Sequence, residues 1–522
     1  MKKKYIIAPL AAAAMCVGAC DFLDVPLEST VSTSNYYKSL QEFDMSLTGV
    51  YNNLIDAIDD ARYGSYFQGF LVVGRVGTDE MYAAYNNGHE EKAFSDYTYT
   101  AENVYITRPW FMLYRGIYRA NVIIDRLTPM DFSDTAEKNR ILGESYFLRA
   151  FFYFHLVRLY GEVPLAIHET TDIEMLDLTR QPIAKVYEQI ESDFKTAAEL
   201  LPENNANGRA GRYAAKTMLG KAYLQMSGEP LNDPDAAAKS EAVLKEVIGS
   251  GKYDLVTDYF AQFDGRHEYG KEYIWDIEFC MDGTTTYGGQ LGTTEGVENP
   301  AGLYWTMIRT FPSFYDSFDS KDHRRDNVAR FRFKYDDAGN IVEENYKDVF
   351  KTDEEKARDY FYWAYKFRHP LDPADRGTGW ANWANPMNFP VTRYADVLLM
   401  YAEAGLRAHG TASAEQVELV NQVRRRGFGR PIKSKAPGVD YDVLTLDRIL
   451  DERSFELCFE GHRWYDLVRF GKLEEKVKAN CHENLGLCDS ARNIKSKHLF
   501  YPVPQDVIDA SNGKITQTET WK

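Results

Sequence analysis

The chain has 522 residues, 44% of them hydrophobic and 27% charged, with a formal net charge of −17 at pH 7. This length allows two or three average domains or one large helical superstructure, and the composition is typical of a globular protein. The acidic balance argues against a nucleic-acid partner, because phosphates require clustered lysine and arginine. Tyrosine is abundant, at 36 residues, and supplies flat amphipathic surface for binding as well as for core packing.

The first 19 residues predict an export signal. Three lysines at positions 2–4 precede an apolar run over residues 5–15, which is too short to span a bilayer. The sequence Val17-Gly18-Ala19-Cys20 resembles a bacterial lipobox, so we predict a lipoprotein signal peptide over 1–19, with Cys20 lipidated. The alternative is an ordinary signal peptide cut near Ala19. Residues 20–34 then form a lipidated tether for a soluble body.

Helical pairs dominate the remainder. Apolar residues at spacings of three and four predict helices over 35–58, 110–127, 138–160, 182–201, 234–248, 394–408 and 412–426, with another that begins near 212. Residues 219–223, LGKAY, match the L-G-x-x-Y core of a tetratricopeptide repeat. There the small Gly220 lets the adjacent helix approach closely, and Tyr223 packs over it. We therefore predict a mainly α fold, an α-α superhelix of tetratricopeptide-like helical pairs.

Two regions interrupt the helical pattern. Residues 62–107 are rich in glycine, tyrosine and asparagine and predict a long surface insertion rather than packed helix. Residues 251–392 predict irregular structure with a few short strands, including a strand over 272–279 and a hairpin over 330–342. We expect one domain over 35–522, with the helical scaffold at about 35–250 and 393–470, ligand loops at about 251–392, and a C-terminal tail over 471–522.

The sequence carries no G-x-S-x-G, H-E-x-x-H, phosphate-binding loop or dinucleotide motif, so no catalytic residue, metal or cofactor is predicted. The two carboxylates that a glycosidase needs cannot be located from one sequence. Large aromatic side chains in the loops instead predict platforms for stacking on sugar rings, with neighbouring polar groups for the hydroxyls. The predicted ligand residues are Asp79, Tyr82, Tyr85, Asn86, Trp305, Tyr362, Trp363, Trp380 and Trp383. Trp275 is left out because its alternating context indicates a buried strand.

Cys481 and Cys488 flank a short glycine-containing loop. In an exported protein such a pair is more often a disulfide than a metal site, and we favour a disulfide. A zinc site with His482 is the alternative, although it would lack a fourth ligand at the usual spacing. Cys458, in a predicted helix, is expected to be buried and inert.

Residues 451–472 combine charge and large apolar side chains at unusual density. A helix is predicted to end at Gly461, and a second short helix follows with Trp464 on its apolar face. Two hypotheses account for the charges: a structural corner of buried ion pairs, or a catalytic carboxylate–histidine cluster. We favour the structural corner, because ion-pair networks perturb titrating groups without doing chemistry.

Within this stretch, E-R-x-x-E-L-x-F-E-G-H-R-W-Y-D-L-x-R over 452–469 resembles the C-terminal signature of the SusD/RagB family, the nutrient-binding outer-membrane lipoproteins of Bacteroidetes. GTDEMYA near Asp79, W-x-x-x-Y-R-x-I-x-x-A-N over 110–121, and FYPVPQDVID near the end are similar to family sequences too. The resemblance implies a scaffold of four tetratricopeptide-like repeats in a protein that covers a SusC-like TonB-dependent transporter at the cell surface. The family's ligand residues lie in variable loops, so none carries over.

The resemblance further implies a function. It predicts a lipid-anchored protein of the outer membrane, facing the cell surface, that binds an oligosaccharide or polysaccharide and delivers it to the transporter. The alternatives are peptide capture, as in the RagB branch, and, with less support, a glycan-acting enzyme. A third hypothesis is a structural partner of the transporter that binds no ligand.

Overall fold

The structure is a computed structural model that describes residues 36–55, 66, 69–84, 89–171, 179–281, 286–287, 289–292, 296–298, 307–349, 362–368 and 386–522. Helices dominate it, as the sequence predicts. They are α1 (Leu40–Ile55), α2 (Gly69–Val72), α3 (His89–Asp96), α4 (Val104–Leu127), α5 (Thr135–Tyr160), α6 (Ile183–Leu200), α7 (Arg212–Met226), α8 (Ala236–Gly249), α9 (Pro312–Ser317), α10 (Tyr346–Val349), α11 (Tyr394–His409), α12 (Ala414–Gly427), α13 (Leu446–Leu457), α14 (Arg463–Arg469), α15 (Leu473–Ala479), α16 (Asp489–Asn493) and α17 (Gln505–Ala510).

The long helices form a continuous stack. Helices α4, α5, α6 and α7 each pack on the helix that follows in the chain, and α11 then packs on α8. The chain thus leaves the stack after α8 and returns to the same place about 145 residues later. The intervening segment is an insertion between two neighbouring layers, which confirms the predicted scaffold of helical pairs.

Helix α5 lies at the centre of this stack. Its sequence, with FLRAFFYFHLVRLY at its C-terminal half, has apolar side chains on all sides, and nearly every residue from Ile141 to Tyr160 is buried. Asp134 caps the helix by accepting a hydrogen bond from the Glu137 amide (3.0 Å), and Gly161 ends it at a φ of 72°.

Gly220 of α7 has the role that the repeat motif predicts. A Cβ atom at this position would lie 2.6 Å from Leu244 Cδ2 of α8, so any larger residue would require the Leu244 side chain to move from its place between the two helices. The Ser240 hydroxyl donates to the Gly220 carbonyl at 2.7 Å, and Tyr223 is buried. Close packing of α7 on α8 therefore depends on the absence of a side chain here.

The strands are short and pair two by two. They are β1 (Met81–Ala83), β2 (Val163–Pro164), β3 (Arg180–Gln181), β4 (Tyr273–Ile277), β5 (Cys280–Met281), β6 (Thr286–Tyr287), β7 (Ile308–Thr310), β8 (Val328–Ala329), β9 (Phe331–Tyr335), β10 (Ile341–Asn345), β11 (Trp363–Ala364) and β12 (Phe389–Arg393). All the pairs are antiparallel: β1 with β7, β2 with β3, β4 with β12, β5 with β6, β8 with β11, and β9 with β10.

Both strand predictions are confirmed. Trp275 lies in β4 and is 2% exposed, as its alternating context indicates. The hairpin of β9 and β10 closes through Asp336, whose carboxylate accepts hydrogen bonds from the amides of Ala338 (2.9 Å) and Asn340 (2.8 Å). That turn chemistry fixes the register of the hairpin.

The prediction of a surface insertion over 62–107 is wrong for the part that the structure describes. Phe70, Val72, Met81 and Phe94 are buried in the main core, together with the polar residue Glu80. The glycines and polar residues that suggested a loop serve the tight turns between short elements. A composition rich in turn-forming residues therefore correctly indicates turns in this region, but it does not predict whether the segments between them are buried.

The helix that begins the signature ends earlier than predicted. α13 stops at Leu457, and the chain reverses through Phe459 (φ 65°) and Gly461 (φ 81°) before α14 begins. The Glu456 carbonyl, in the last turn of α13, accepts hydrogen bonds from Lys366 Nζ (2.7 Å) and Arg393 (3.2 Å). These side chains take the place of the backbone amide that a further helical turn would supply. None of the described helices is both long and apolar enough to cross a membrane.

Candidate ligand-binding site

Four short segments from distant parts of the sequence lie side by side. Tyr82 of β1 is opposite Arg309 of β7, and the Ala84 amide extends this pair by donating to the Met307 carbonyl at 2.9 Å. The Thr310 amide donates to the Tyr362 carbonyl (3.2 Å), which joins β7 to β11, and β11 pairs with β8. We call β1, β7, β11 and β8 together the loop-base strip.

The strip brings together the segments that the sequence marks separately. Tyr85 and Asn86 directly follow Ala84, while Trp305 comes two positions before Met307. The Ala84–Met307 hydrogen bond therefore joins the two points of the chain from which these predicted residues depart. Tyr85, Asn86, Trp305, Trp380, Trp383 and the predicted lipidation site Cys20 lie outside the described residues.

Arginine side chains stack on aromatic rings along the strip. The Arg309 guanidinium lies 4.6 Å from the ring centre of Trp363, and the Arg330 guanidinium lies 3.7 Å from that of Tyr362. Arg330 also covers the ring of Tyr346 at 4.1 Å. Such contacts contribute roughly 0.5–2 kcal/mol each and hold both partners in fixed orientation.

The predicted aromatic residues differ in exposure. Tyr362 and Trp363 are 4% and 1% exposed, so both rings are buried in this structure, and direct ligand contact by them stays a prediction. Tyr82 is half-buried, with its ring 4.8 Å from that of Phe311. Burial raises the pKa of the Tyr82 hydroxyl despite the opposing effect of Arg309, so Tyr82 keeps its proton at neutral pH.

A groove of about 350 Å³, with both charged and aromatic side chains in its wall, adjoins one end of the strip. Asp79 lies in its wall and forms a two-pronged ion pair with Arg463, at 2.8 Å from Nε and 2.6 Å from Nη2. Burial alone would raise the pKa of Asp79, but Arg463 outweighs it and holds that pKa below its usual value. The other groups in the groove were not predicted: they are Ser313, Phe314, Ser317, Asp451, Ser454, Phe455, Lys476, Ala479 and Asn480.

The disulfide loop lies against this groove. Cys481 and Cys488 are bonded, and His482 between them contacts the Ser313 hydroxyl at 3.0 Å and stacks on Phe311. Ser313 in turn donates to Asn480 Oδ1 at 2.5 Å. The disulfide thus fixes the C-terminal tail beside β7. No sequence signal links these residues, because their contact arises only from the fold.

The described residues hold one group of three candidate metal ligands, Cys481, Glu483 and Cys488. Because the two sulfur atoms are joined in the disulfide, they cannot act as thiolate ligands. The zinc alternative does not fit this geometry.

The two central carboxylates of the signature are paired with cations from other parts of the chain. Glu456 accepts from Arg426 (2.7 Å), Arg393 (3.0 Å) and Arg324 (3.3 Å), and Glu460 accepts from Arg393 and Lys366. Burial would raise the pKa of both carboxyl groups, but the surrounding cations dominate and lower it. A carboxylate that stays ionised, and whose oxygens already accept hydrogen bonds from arginine and lysine, does not transfer protons near neutral pH. The geometry therefore favours the structural corner over the catalytic cluster.

Comparison with known proteins identifies the family. A sequence model described as "SusD family" matches residues 271–521, and one described as "Starch-binding associating with outer membrane" matches residues 21–224. The chain belongs to the SusD/RagB family. SusD-like protein P25 of Formosa agariphila is 25% identical over 97% of this chain and 96% of its own length.

Other SusD/RagB relatives agree in fold. The starch-binding protein SusD of Bacteroides thetaiotaomicron is 22% identical, over 90% of this chain and 88% of its own. A crystal structure of a SusD homologue from the same species superposes with a TM-score of 0.80 at 25% identity, covering 93% of this chain and 97% of that one. These matches confirm the predicted family and its helical fold.

Proposed function

We propose that this SusD-like chain is a lipoprotein of the outer membrane, anchored through Cys20, that captures a glycan at the cell surface for a SusC-like TonB-dependent transporter. The observation that carries the proposal is the loop-base strip, which gathers separately predicted ligand segments at one place. The relatives support the ligand class: one curated relative is named a starch-binding protein, and one solved relative a laminarin-binding SusD-like protein.

The chemistry of the site suits an uncharged sugar. The C–H faces of a sugar ring stack on aromatic side chains, and Tyr82 presents a half-buried ring that Phe311 holds in place. Hydroxyl groups of the sugar find donors and acceptors in the adjoining groove, where Ser313 and Asn480 lie close to Asp79. The predicted residues Tyr85, Asn86, Trp305, Trp380 and Trp383 complete the proposed site.

The proposal assigns no bond-breaking step to the chain. A glycoside hydrolase needs a carboxylic acid of raised pKa that reaches the glycosidic oxygen. Burial raises the pKa of Glu80 to about 7, but that side chain is 3% exposed and accepts a hydrogen bond from Ser454 at 2.8 Å. A sugar bound at the strip does not reach it. We expect no new reducing ends after prolonged incubation with a bound oligosaccharide, and steady product release would overturn this part.

Peptide capture is the second candidate. The observation in its favour is the burial of Trp363, which leaves less exposed aromatic surface for a sugar, together with the charged, hydroxyl and amide side chains in the wall of the groove. Extended peptides offer backbone amides and carbonyls to such a surface. Calorimetry with a panel of oligosaccharides and a panel of short peptides, on the chain from residue 21, decides between the two. Heat from peptides alone would establish the second candidate.

The decisive experiment adds a variant pair to that calorimetry. Tyr82→Ala removes the reachable ring of the strip and is expected to weaken glycan binding about tenfold or more, since stacking residues dominate such sites. Tyr118→Ala is the matched control, because Tyr118 is 45% exposed on α4, within a different layer. Equal affinity in both variants would exclude the strip as the site.

Anchoring and partnership need separate measurements. Cys20→Ala is expected to release the protein from the membrane fraction while leaving glycan affinity of the purified chain unchanged. Co-purification with the transporter in the absence of glycan binding would favour a ligand-free structural partner. Retention of the Cys20→Ala variant in membranes would contradict the lipid anchor.

A further inference from the structure

A small cleft with several charged and polar side chains in its wall lies against the helical stack, away from the strip. It is lined by α2, α5, α7, β12, α14 and the turn that follows α13, and its volume is about 40 Å³. One water needs roughly 10–15 Å³ of such space, so the cleft holds a few waters or one small ion. The side chains that matter for its chemistry are Tyr66, His155, Arg158, Lys221, His462 and Tyr465.

Arg158 brings a positive charge to this cleft, and no carboxylate pairs with it among the described residues. Its Nε donates to the Phe154 carbonyl (3.0 Å), and one terminal nitrogen lies 3.4 Å from His155 Nδ1. Its guanidinium is sandwiched between the rings of Phe154 (3.8 Å) and Tyr465 (3.9 Å). All of these partners are neutral, and among the described residues no acidic side chain forms an ion pair with Arg158.

Lys221 adds a second positive charge on the opposite wall. Its ammonium group pairs with Asp396 (2.8 Å), but Arg453 shares that carboxylate at 2.9 Å. The pairs continue through Asp466 and Arg469 to Glu403, so three cations alternate with three carboxylates. Arg407 adds a further cation at Glu403. This chain of ion pairs has no negative charge left over for Arg158.

The remaining groups around the cleft do not supply that charge. Glu460 reaches the cleft, but Lys366 and Arg393 occupy its oxygens at 2.5 to 2.7 Å. Burial holds the pKa of His155 well below its usual value, and Arg158 and Lys221 lower it further. The pKa of His462 is lowered in the same way, by burial and by Lys221.

A buried hydroxyl group in the wall also lacks a partner. Tyr465 is 6% exposed, and its oxygen has no hydrogen-bond partner among the described residues. An unmade hydrogen bond of this kind costs about 1–3 kcal/mol unless a bound species accepts it. The cleft therefore combines an uncompensated cation with a donor that is free to bind.

We propose that this cleft binds one small inorganic anion, of the size of chloride. Chloride carries the single negative charge that Arg158 lacks and accepts hydrogen bonds from guanidinium, ammonium and hydroxyl donors. The bound ion would neutralise the repulsion between α5 and α7 and so fasten the signature turn to both helices. The proposal is independent of the glycan site.

Bromide can bind in place of chloride, and its anomalous scattering reveals its position in a crystal. Crystals of the intact chain grown in sodium bromide are expected to show an anomalous peak in the cleft, between Arg158 and Lys221. In solution, replacing 500 mM sodium gluconate by 500 mM sodium chloride keeps ionic strength constant while supplying an anion that fits. We expect chloride to raise the melting temperature by about 2 °C relative to gluconate. This is the shift that results when the chloride concentration is about a hundredfold above the Kd of the site.

Two variants and one control sharpen the test. Arg158→Gln removes the charge and is expected to abolish both the bromide peak and the chloride dependence. Tyr465→Phe keeps the ring and loses only the donor, so it is expected to fold normally and to weaken the chloride effect severalfold. Arg492→Gln, at a side chain that is 65% exposed, is expected to leave the effect unchanged. Water alone in the cleft, or equal melting in chloride and gluconate, would overturn the proposal.

Discussion

Trp464→Ala tests whether the signature stretch is structural. Trp464 is 1% exposed in α14, its ring stacked on Tyr501 with centroids 5.4 Å apart and edge-on to Tyr465 at 5.3 Å. Truncation of a buried tryptophan costs about 3–5 kcal/mol, because the transfer free energy is lost and a cavity remains. The two ring contacts place this site toward the upper end of that range.

The loss of unfolding free energy in Trp464→Ala can be measured as a fall in the melting temperature. The entropy of unfolding is about 2.1 cal/mol/K per residue, so a loss of about 4 kcal/mol over 522 residues lowers the melting temperature by about 4 °C. Differential scanning calorimetry measures that shift, and titration calorimetry measures glycan affinity of the folded fraction, which we expect to be unchanged. Trp464→Phe is expected to lose about half as much stability.

Trp521→Ala provides the comparison within the same chain. Trp521 is half-buried near the C-terminus, where its Nε1 donates to the Phe500 carbonyl at 2.9 Å, and we expect its truncation to cost less. If Trp464→Ala weakened ligand binding without lowering the melting temperature, the signature would have a direct part in recognition and our reasoning would fail.

Three further predictions concern buried charge, the disulfide and pH. Glu456→Gln leaves three arginines under-compensated and should cost about 3–5 kcal/mol in urea unfolding, with unchanged unfolding as the contrary result. Reduction of Cys481–Cys488, or its replacement by serines, should remove up to about 2.5 kcal/mol of stability, because the bond closes a short loop; equal melting with and without reductant would contradict this. The pKa of Glu80 is about 7, above its unfolded value of about 4.3, so its protonated form favours folding at low pH and that stability is lost as pH rises through 7. Glu80→Gln should flatten this fall between pH 5 and 7.5, and identical slopes would refute the assignment.

The helical scaffold was predictable because its signals are local. Spacings of three and four residues predicted α5 and α6 to within a few positions, and Gly220 correctly indicated a close approach of two helices. Such patterns arise within one element and need no knowledge of its partners. The return of α11 onto α8 was not visible in the same way, since packing between elements 145 residues apart has no sequence period.

Burial in the irregular regions could not be predicted for a related reason. Tyr362 and Trp363 are predicted as platforms because they lie in an aromatic, glycine-containing stretch. In the fold both are buried, because β7 and β8 pair with their backbone and the Arg330 and Arg309 side chains lie over their rings. Ser313 and Asn480 carry no local signal at all. Their place in the groove follows from the disulfide loop and from β7, which meet only in the folded chain.

Arg463 connects the signature to the proposed ligand site. It belongs to the signature over 452–469, and its guanidinium donates to both carboxylate oxygens of Asp79, one of the predicted ligand residues. Asp79 lies two positions before β1, and its neighbour Glu80 anchors β7 by accepting from the Thr310 hydroxyl and the Phe311 amide through its carbonyl. Through this ion pair the signature helps to set the position of Asp79 and of β1, beside the points where the predicted ligand loops leave the strip.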